Sequence, residues 1–93
     1  MSIAFTNRVR VSPDVLISNM DGQSVLLNLQ SETYFGLDEV GTRMWDALNG
    51  AESIQAAFDV LAAEYDVEPD QLRRDLEDLL KRLAEQGLLE VAE

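Results

Sequence analysis

Residues 34–50 read YFGLDEVGTRMWDALNG, and this stretch decides the fold because it carries the chain from a strand into a helix. The segment from Tyr34 to Leu37 is short, aromatic and apolar, as is typical of a β-strand. Asp38 follows as a helix N-cap, and Glu39 places a carboxylate in the first turn, where the helix dipole favours negative charge. We predict a strand over residues 34–37 and a helix over residues 39–48.

The predicted helix has an apolar stripe at helical spacing, which marks its inward side. Asn49 and Gly50 then predict a left-handed cap that ends it. Gly41, inside this helix, costs about 1 kcal/mol relative to alanine and indicates a close backbone approach, which packing explains as well as binding does. The stripe consists of Val40, Met44, Trp45 and Leu48.

Upstream of this stretch, residues 14–20 and 23–29 are two runs rich in branched apolar side chains. They flank Asp21 and Gly22, and this arrangement predicts a hairpin with a type I′ turn. A two-residue turn pairs Met20 with Gln23, and this pairing sets the register of the two strands.

The register divides the hairpin into two faces, and we expect the more apolar face to point to the core. The opposite face carries Val15, Ile17 and Leu26, and we expect the N-terminal arm to cover it. The residues predicted for the core face are Leu16, Met20, Val25, Leu27 and Leu29.

Downstream, two further helices are predicted. Ser53 caps the first, and Pro69 suits the first turn of the second. Gly87 ends the second helix, where Leu83 and Leu88 would make the apolar contact of a Schellman cap. Their apolar positions are Ile54, Ala57, Phe58, Leu61, Ala62 and Tyr65 in the first, and Leu72, Leu76, Leu79, Leu80 and Leu83 in the second. The chain therefore reads as α+β, with a three-stranded antiparallel sheet followed by three helices, in one domain over residues 1–93.

The inventory of side chains argues against catalysis. The sequence has no cysteine and no histidine, so disulfides and the usual zinc, haem and iron–sulfur ligands are missing. Without histidine the commonest general acid or base is also absent. We expect a protein that is not an enzyme, with no cofactor and no metal site.

Charge argues against two classes of partner. The chain has 18 acidic and 7 basic residues, a formal net charge of −11, and such a surface repels phosphate backbones and anionic membranes. The cations of the third helix alternate with acids such as Asp75 and Asp78, so they do not form a phosphate-binding stripe. There is no apolar run of signal-peptide or membrane-spanning length. We therefore expect a cytoplasmic protein that binds neither nucleic acid nor membrane.

The strand over residues 34–37 is a plausible sheet edge, and an edge strand offers unpaired backbone groups. Such an edge accepts an extended peptide as an added strand. Tyr34 and Phe35 point to opposite faces, so one ring can serve the core while the other serves a ligand. On the third helix, four charged residues flank the leucine stripe, either as solvated charges or as ligand contacts. They are Arg74, Asp75, Asp78 and Arg82.

Taken together, these residues resemble the PqqD family, also called the RiPP recognition element. The resemblance extends over residues 10–92 and is closest to the stand-alone leader-binding proteins of lasso-peptide pathways. The residues that carry it are Tyr34-Phe35-Gly36-Leu37-Asp38-Glu39-Val40-Gly41, Met44-Trp45, Leu48-Asn49-Gly50, Asp75, Leu79-Leu80, Leu83 and Gly87-Leu88-Leu89.

The resemblance implies a compact winged helix-turn-helix that binds the leader of a precursor peptide instead of DNA. It also implies partnership with a separate leader peptidase and a macrolactam-forming cyclase. Carried onto this sequence, the expected peptide-binding residues are Tyr34, Phe35, Gly36, Leu37, Arg74, Asp75, Asp78 and Leu79.

Three alternatives stay open at this point. One is a peptide chaperone for a radical enzyme in a quinone-cofactor pathway, one is a winged-helix DNA-binding regulator, and one is a subunit that folds or activates an enzyme.

Overall fold

The computed structural model describes residues 4–92, which form five strands and three helices. In chain order the elements are β1 Arg8–Val11, β2 Val15–Met20, β3 Gln23–Asn28, β4 Thr33–Leu37, α1 Glu39–Gly50, α2 Ile54–Glu64, α3 Pro69–Glu85 and β5 Leu89–Ala92. The predicted α+β arrangement, a three-stranded antiparallel sheet followed by three helices, is confirmed.

The predicted hairpin and its register are confirmed. β2 pairs with β3 so that Met20 lies opposite Gln23 and Leu16 lies opposite Leu27. Asp21 and Gly22 have φ values of 52° and 84°, and positive φ at both central residues is the mark of a type I′ turn. This turn twists in the same sense as the strands it joins. β3 pairs with β2 on one edge and with β4 on the other, so it lies in the middle of the sheet.

The prediction of which hairpin face is buried was wrong. Leu26, assigned to the outward side, is fully buried, while Leu16, Met20, Val25 and Leu29 are exposed and Leu27 is half-buried. The helices pack against the face that carries Leu26, so the N-terminal arm does not cover it. The outward side chains of β2, β3 and β4 form what we call the outer face.

Two polar residues accompany Leu26 on the buried face. They make that face look less apolar in the sequence, and their hydrogen bonds allow it to be buried. Ser24 lies 2.7 Å, oxygen to oxygen, from the hydroxyl of Thr42 on α1. Asn28 donates to the carbonyl oxygen of Gln86 at 3.0 Å. A buried polar group with a partner avoids most of the cost of desolvation, so counting apolar residues favours the wrong face here.

Helix α1 begins as predicted but ends differently. The carboxylate of Asp38 accepts a hydrogen bond from the N–H of Gly41 at 2.7 Å, which confirms the N-cap. The helix continues to Gly50 and is followed by Ala51 in an extended conformation, so the expected left-handed glycine cap was wrong. Met44, Trp45 and Leu48 are buried, whereas Val40 is exposed, contrary to its predicted place in the stripe.

Helices α2 and α3 follow the predicted pattern closely. Ser53 Oγ accepts from the N–H of Ala56 at 3.1 Å and caps α2. In α2, Ile54, Ala57 and Leu61 are buried, Phe58 and Tyr65 are partly buried, and Ala62 is exposed. All five leucines of the α3 stripe are buried.

The end of α3 has the predicted Schellman geometry. The N–H of Leu88 donates to the carbonyl of Leu83 at 2.9 Å, and the N–H of Gly87 donates to that of Ala84 at 3.1 Å. Gly87 has a φ of 71°, a left-handed conformation that glycine adopts at no steric cost because it has no Cβ. The cap turns the chain back so that Leu88 and Leu89 enter the core.

The chain also has two strands that sequence reasoning missed. β1 pairs antiparallel with β5, which brings Val9 opposite Val91 across 82 positions of sequence. Before β1, Phe5 is buried against Phe58 of α2, with ring centroids 5.8 Å apart, and the guanidinium of Arg73 lies 4.3 Å from its ring centroid. The N-terminal arm therefore packs on α2 and α3.

Among residues 4–92, no helix is long and apolar enough to cross a lipid bilayer.

Candidate peptide-binding site

A cleft of about 290 Å³ lies between the start of α1 and the outward side of α3. Val40, Met44 and Leu79 supply its apolar surface. Carboxylates and one guanidinium stand at its sides. The residues that line it are Asp38, Val40, Gly41, Met44, Asp75, Asp78, Leu79 and Arg82.

The edge of β4 leads directly into this cleft. Within the described chain, β4 pairs with β3 alone, so its other edge carries backbone N–H and C=O groups that no strand uses. The strand ends at Leu37, and the next residue, Asp38, both caps α1 and lines the cleft. An extended peptide placed along β4 would therefore reach the cleft without bending away from the sheet.

The predicted strand residues divide between the two sides of the sheet. Phe35 is half-buried and packs against the core, and Leu37 is buried within it. Tyr34 is exposed on the outer face, beside Leu27. Gly36 lies on the outer face beside Val25. The alternation expected for Tyr34 and Phe35 is present, with Phe35 on the core side.

The predicted helix residues are not all brought together. Asp75, Asp78 and Leu79 line the cleft, whereas Arg74 is exposed on α3 and does not belong to the lining. Arg82, one turn beyond Asp78, does line it. The structure thus places three of the four predicted α3 residues together at the wall of one cleft.

Sequence reasoning missed the α1 side of the cleft. Val40 and Met44 were assigned to the helix stripe, and Asp38 was recognised only as a cap. The signal available in the sequence was Gly41, which indicates a close backbone approach on α1. In the structure, a Cβ at this position would lie 3.2 Å from both Leu37 Cδ2 and Asp38 Oδ1. This close approach comes from packing of α1 on the end of β4, and the same packing leaves Val40 at the mouth of the cleft.

The cleft is acidic. Three carboxylates face one guanidinium, and the ion pairs found within residues 4–92, Arg43 with Glu64 and Arg73 with Glu77, both lie elsewhere. Asp75 accepts a hydrogen bond from the side-chain amide of Gln71 at 2.9 Å. The charges of the cleft are therefore available to a ligand, apart from the hydrogen bonds made by Asp38 and Asp75.

The best-formed ion pair of the described chain ties α1 to α2. Both Nε and Nη2 of Arg43 donate to the carboxylate of Glu64, the former at 2.8 Å. The hydrogen bond lowers the pKa of Glu64 and raises that of Arg43. Both side chains are on the surface, so the pair contributes little to stability. No group of three or more His, Cys, Asp or Glu side chains in the described residues is placed to hold a metal ion.

Comparison with known proteins links this geometry to peptide complexes. The sequence profile of the family described as "Coenzyme PQQ synthesis protein D (PqqD)" matches residues 23–89. A solved structure described as "TbiB1 in Complex with the TbiA(beta) Leader Peptide" superposes with a TM-score of 0.81 and 42% sequence identity, over 87% of this chain and 94% of that one.

A second structure, "Lasso peptide synthetase B1 complexed with the leader peptide", superposes with a TM-score of 0.79 and 26% identity, over 89% of this chain and 98% of that one. No curated protein sequence matches the chain significantly.

Proposed function

The chain belongs to the PqqD family, and on this premise we propose that it binds the leader segment of a ribosomally made precursor peptide in lasso-peptide biosynthesis. The observation that carries the proposal is the free edge of β4 running into the cleft between α1 and α3. Two structures of similar chains, one of them 42% identical, were solved with leader peptides, and this supports it.

In this proposal the leader adds a fourth strand beside β4. Backbone hydrogen bonds to the strand edge would supply affinity that does not depend on the leader's side chains, while the cleft would select among leaders. Alternate side chains of an added strand point to opposite faces, so every second leader residue would enter the cleft. The proposed contacts are Tyr34, Phe35, Gly36 and Leu37 on β4 and Arg74, Asp75, Asp78 and Leu79 on α3.

The bound leader would then be presented to enzymes. We propose a leader peptidase and a macrolactam-forming cyclase as those partners, with this chain as a non-catalytic adaptor in the cytoplasm. Members of the PqqD family that act as RiPP recognition elements are binding proteins, and this supports a non-catalytic role for the chain. A second candidate function, a peptide chaperone for a radical enzyme in a quinone-cofactor pathway, is favoured only by the description of the family profile.

Backbone pairing can be tested with modified leader peptides. Methylating a leader N–H that faces β4 removes one hydrogen bond and adds a clash, so we expect a large loss of affinity. Methylating the adjacent N–H, which faces away from β4, leaves the pairing intact and serves as the control. Equal effects at successive positions, measured by isothermal titration calorimetry, would contradict an added strand.

The cleft can be tested with a matched pair of valines. Val40 on α1 and Val60 on α2 are 45% and 46% exposed, but only Val40 lines the cleft. Covering the exposed half of a valine contributes about 1 kcal/mol, so Val40→Gln should weaken leader binding roughly fivefold. Val60→Gln should leave it unchanged. The wild-type chain must bind the leader half of the precursor and not the core half. If the leader half does not bind, the proposal is overturned.

A further inference from the structure

Three polar residues are buried among residues 4–91, and two of them belong to the central strand of the sheet. Ser24 and Asn28 lie on the inward side of β3, on either side of Leu26, and Thr42 lies on α1. Burying a polar side chain costs free energy unless it is hydrogen-bonded, and each of these side chains has a partner. A hydrogen bond is directional, unlike an apolar contact, so these side chains fix where their partners lie.

The partners of the two β3 side chains belong to the two helices that wall the cleft. Asn28 donates to the carbonyl oxygen of Gln86, the residue after α3, and Ser24 contacts Thr42 of α1. The cleft itself lies between the start of α1 and the outward side of α3. Both helices that form the cleft are therefore hydrogen-bonded to the central strand.

On the α1 side, the hydrogen bonds form a chain of three groups. The hydroxyl of Thr42 donates to the backbone carbonyl of Leu37, the last residue of β4, at 3.4 Å. A hydroxyl has one proton, so in the contact of 2.7 Å between the Ser24 and Thr42 oxygens Ser24 is the donor. We call Ser24, Thr42 and the Leu37 carbonyl the hydroxyl relay. It joins β3, α1 and the end of β4 at one point.

The hydroxyl relay lies where α1 closely approaches the end of β4. A Cβ on Gly41, the residue before Thr42, would lie 3.2 Å from Leu37 Cδ2. Val40 precedes Gly41 at the mouth of the cleft and is 45% exposed. Apolar packing alone would let the first turn of α1 slide along the end of β4, whereas the relay holds it in one position.

We propose that Ser24 and Thr42 are positioning residues for the leader peptide, because they set the distance between the β4 edge and the α1 wall of the cleft. This inference rests on the proposed function. A strand added to β4 lies about 4.8 Å from it, so the side chains that it directs into the cleft reach Val40 only if α1 stays in place. Ser24 and Thr42 are 2% and 8% exposed, so they act through the position of α1 and not by touching the leader.

Two substitutions remove the relay and nearly keep the shapes of its side chains. Thr42→Val replaces a hydroxyl with a methyl group at similar helix propensity, and Ser24→Ala removes the other hydroxyl. Thr42→Val alone leaves the Ser24 hydroxyl buried without its acceptor, so the thermal unfolding midpoint should fall by about 4–8 °C. Adding Ser24→Ala removes that unpaired group, and the midpoint should rise again by several degrees.

The doubly substituted chain therefore separates positioning from stability. Its matched control is Ser31→Ala, because Ser31 makes the same 2.7 Å hydroxyl contact, with Thr33, on the surface at the start of β4. The leader peptide is titrated into each chain by isothermal titration calorimetry, with and without Val40→Gln. We expect the double variant to bind the leader at least about fivefold more weakly than the wild type, and Ser31→Ala to bind it equally well.

The effect of Val40→Gln in each background shows whether α1 keeps its place relative to the leader. In the wild type and in Ser31→Ala, this substitution should cost roughly fivefold in affinity. In the double variant it should cost less than about twofold, because the leader no longer meets Val40, and this non-additivity measures the coupling between relay and cleft. A role confined to stability would leave the cost of Val40→Gln unchanged.

The positioning role is overturned if the double variant binds the leader as the wild type does, or if Val40→Gln costs as much in it as in the wild type. A double variant less stable than Thr42→Val would also overturn it, because Ser24 would then not donate to Thr42. If the wild type itself does not bind the leader, the proposed function is wrong and the positioning role is overturned with it. The wild-type titration therefore distinguishes the two failures.

Discussion

Replacing Asn28 tests how the edge strand β4 is held in place. Its Nδ2 donates to the carbonyl oxygens of Gln86 at 3.0 Å and Gly87 at 3.4 Å. Its Oδ1 accepts from the backbone N–H groups of Gln30 at 3.0 Å and Ser31 at 3.4 Å. Because Gln30 and Ser31 lie in the turn that leads into β4, this one side chain ties the turn to the end of α3.

The magnitude follows from these contacts. A hydrogen bond of ordinary geometry contributes about 0.5–1.5 kcal/mol, and two of the four are near 3.0 Å. Asn28→Ala should therefore lower the free energy of unfolding by about 2 kcal/mol. With a urea dependence of about 1–2 kcal/mol per molar for a chain of this size, the unfolding midpoint should fall by roughly 1–2 M.

Asn28→Asp separates the donated bonds from the accepted ones. A carboxylate still accepts from Gln30 and Ser31, but it cannot donate and would face two carbonyl oxygens at 3.0–3.4 Å. At pH 7 we expect a loss larger than that of alanine, about 3 kcal/mol. The protonated carboxyl can donate, so its folded-state pKa is raised above the unfolded value of about 3.9. The stabilising contact is present below that unfolded value and lost as pH rises through the folded one.

Urea unfolding at pH 7 and at about pH 4, each compared with the wild type at the same pH, measures both effects. The deficit of Asn28→Asp should shrink at the lower pH. Asn19→Asp, at an exposed position of β2, is the control for adding a charge to this acidic chain. If Asn28→Asp unfolded at the wild-type midpoint at pH 7, Asn28 would not be the donor to the end of α3, and the reasoning would be refuted.

Two further predictions concern glycines and the surface ion pair. Gly87→Ala should lower the free energy of unfolding by about 1–2 kcal/mol, because φ is 71° there and a Cβ would lie 3.2 Å from Asn28 Nδ2. Gly50→Ala, in a helix where a Cβ would meet nothing within 4 Å, should be neutral or stabilising by up to about 1 kcal/mol. Thermal unfolding of both variants checks this prediction, and equal effects would contradict it. Arg43→Met should return the lowered pKa of Glu64 toward its ordinary value, as followed by carbon-detected NMR titration, and an unchanged Glu64 pKa would contradict this. In the wild type, the contribution of the pair to stability is present above the unfolded-state pKa of Glu64 and should be lost as pH falls through its folded-state pKa.

Several features of the fold were predictable because neighbours in sequence decide them. The turn at Asp21 and Gly22 needs positive φ, and its two-residue length leaves one register for the hairpin. Asp38 and Ser53 cap their helices through N–H groups three residues away. Gly87 ends α3 through bonds that span at most five residues. Each of these interactions joins residues that are at most a few positions apart in the sequence.

The candidate site was predictable in part. Asp75, Asp78 and Leu79 lie on one side of α3 by helical spacing, and the structure brings them to the cleft wall. The α1 side was not recognised, because Val40 fits the helix stripe equally well as a core residue. Its exposure depends on how closely α1 approaches β4 at Gly41, and that distance depends on packing between elements.

The sequence by itself determined the order of β2, β3, β4 and the three helices, the hairpin register, the N-caps of α1 and α2, the cap that ends α3 and the acidic charge of this protein. Tertiary structure alone decided that Leu26, with the hydrogen-bonded Ser24 and Asn28, faces the helices, and that β1 pairs with β5. The physical reason is the range of the interactions. Register and caps depend on local hydrogen bonds, whereas the choice of buried face depends on which surface the helices cover, and alternation along a strand offers two faces without saying which one is covered.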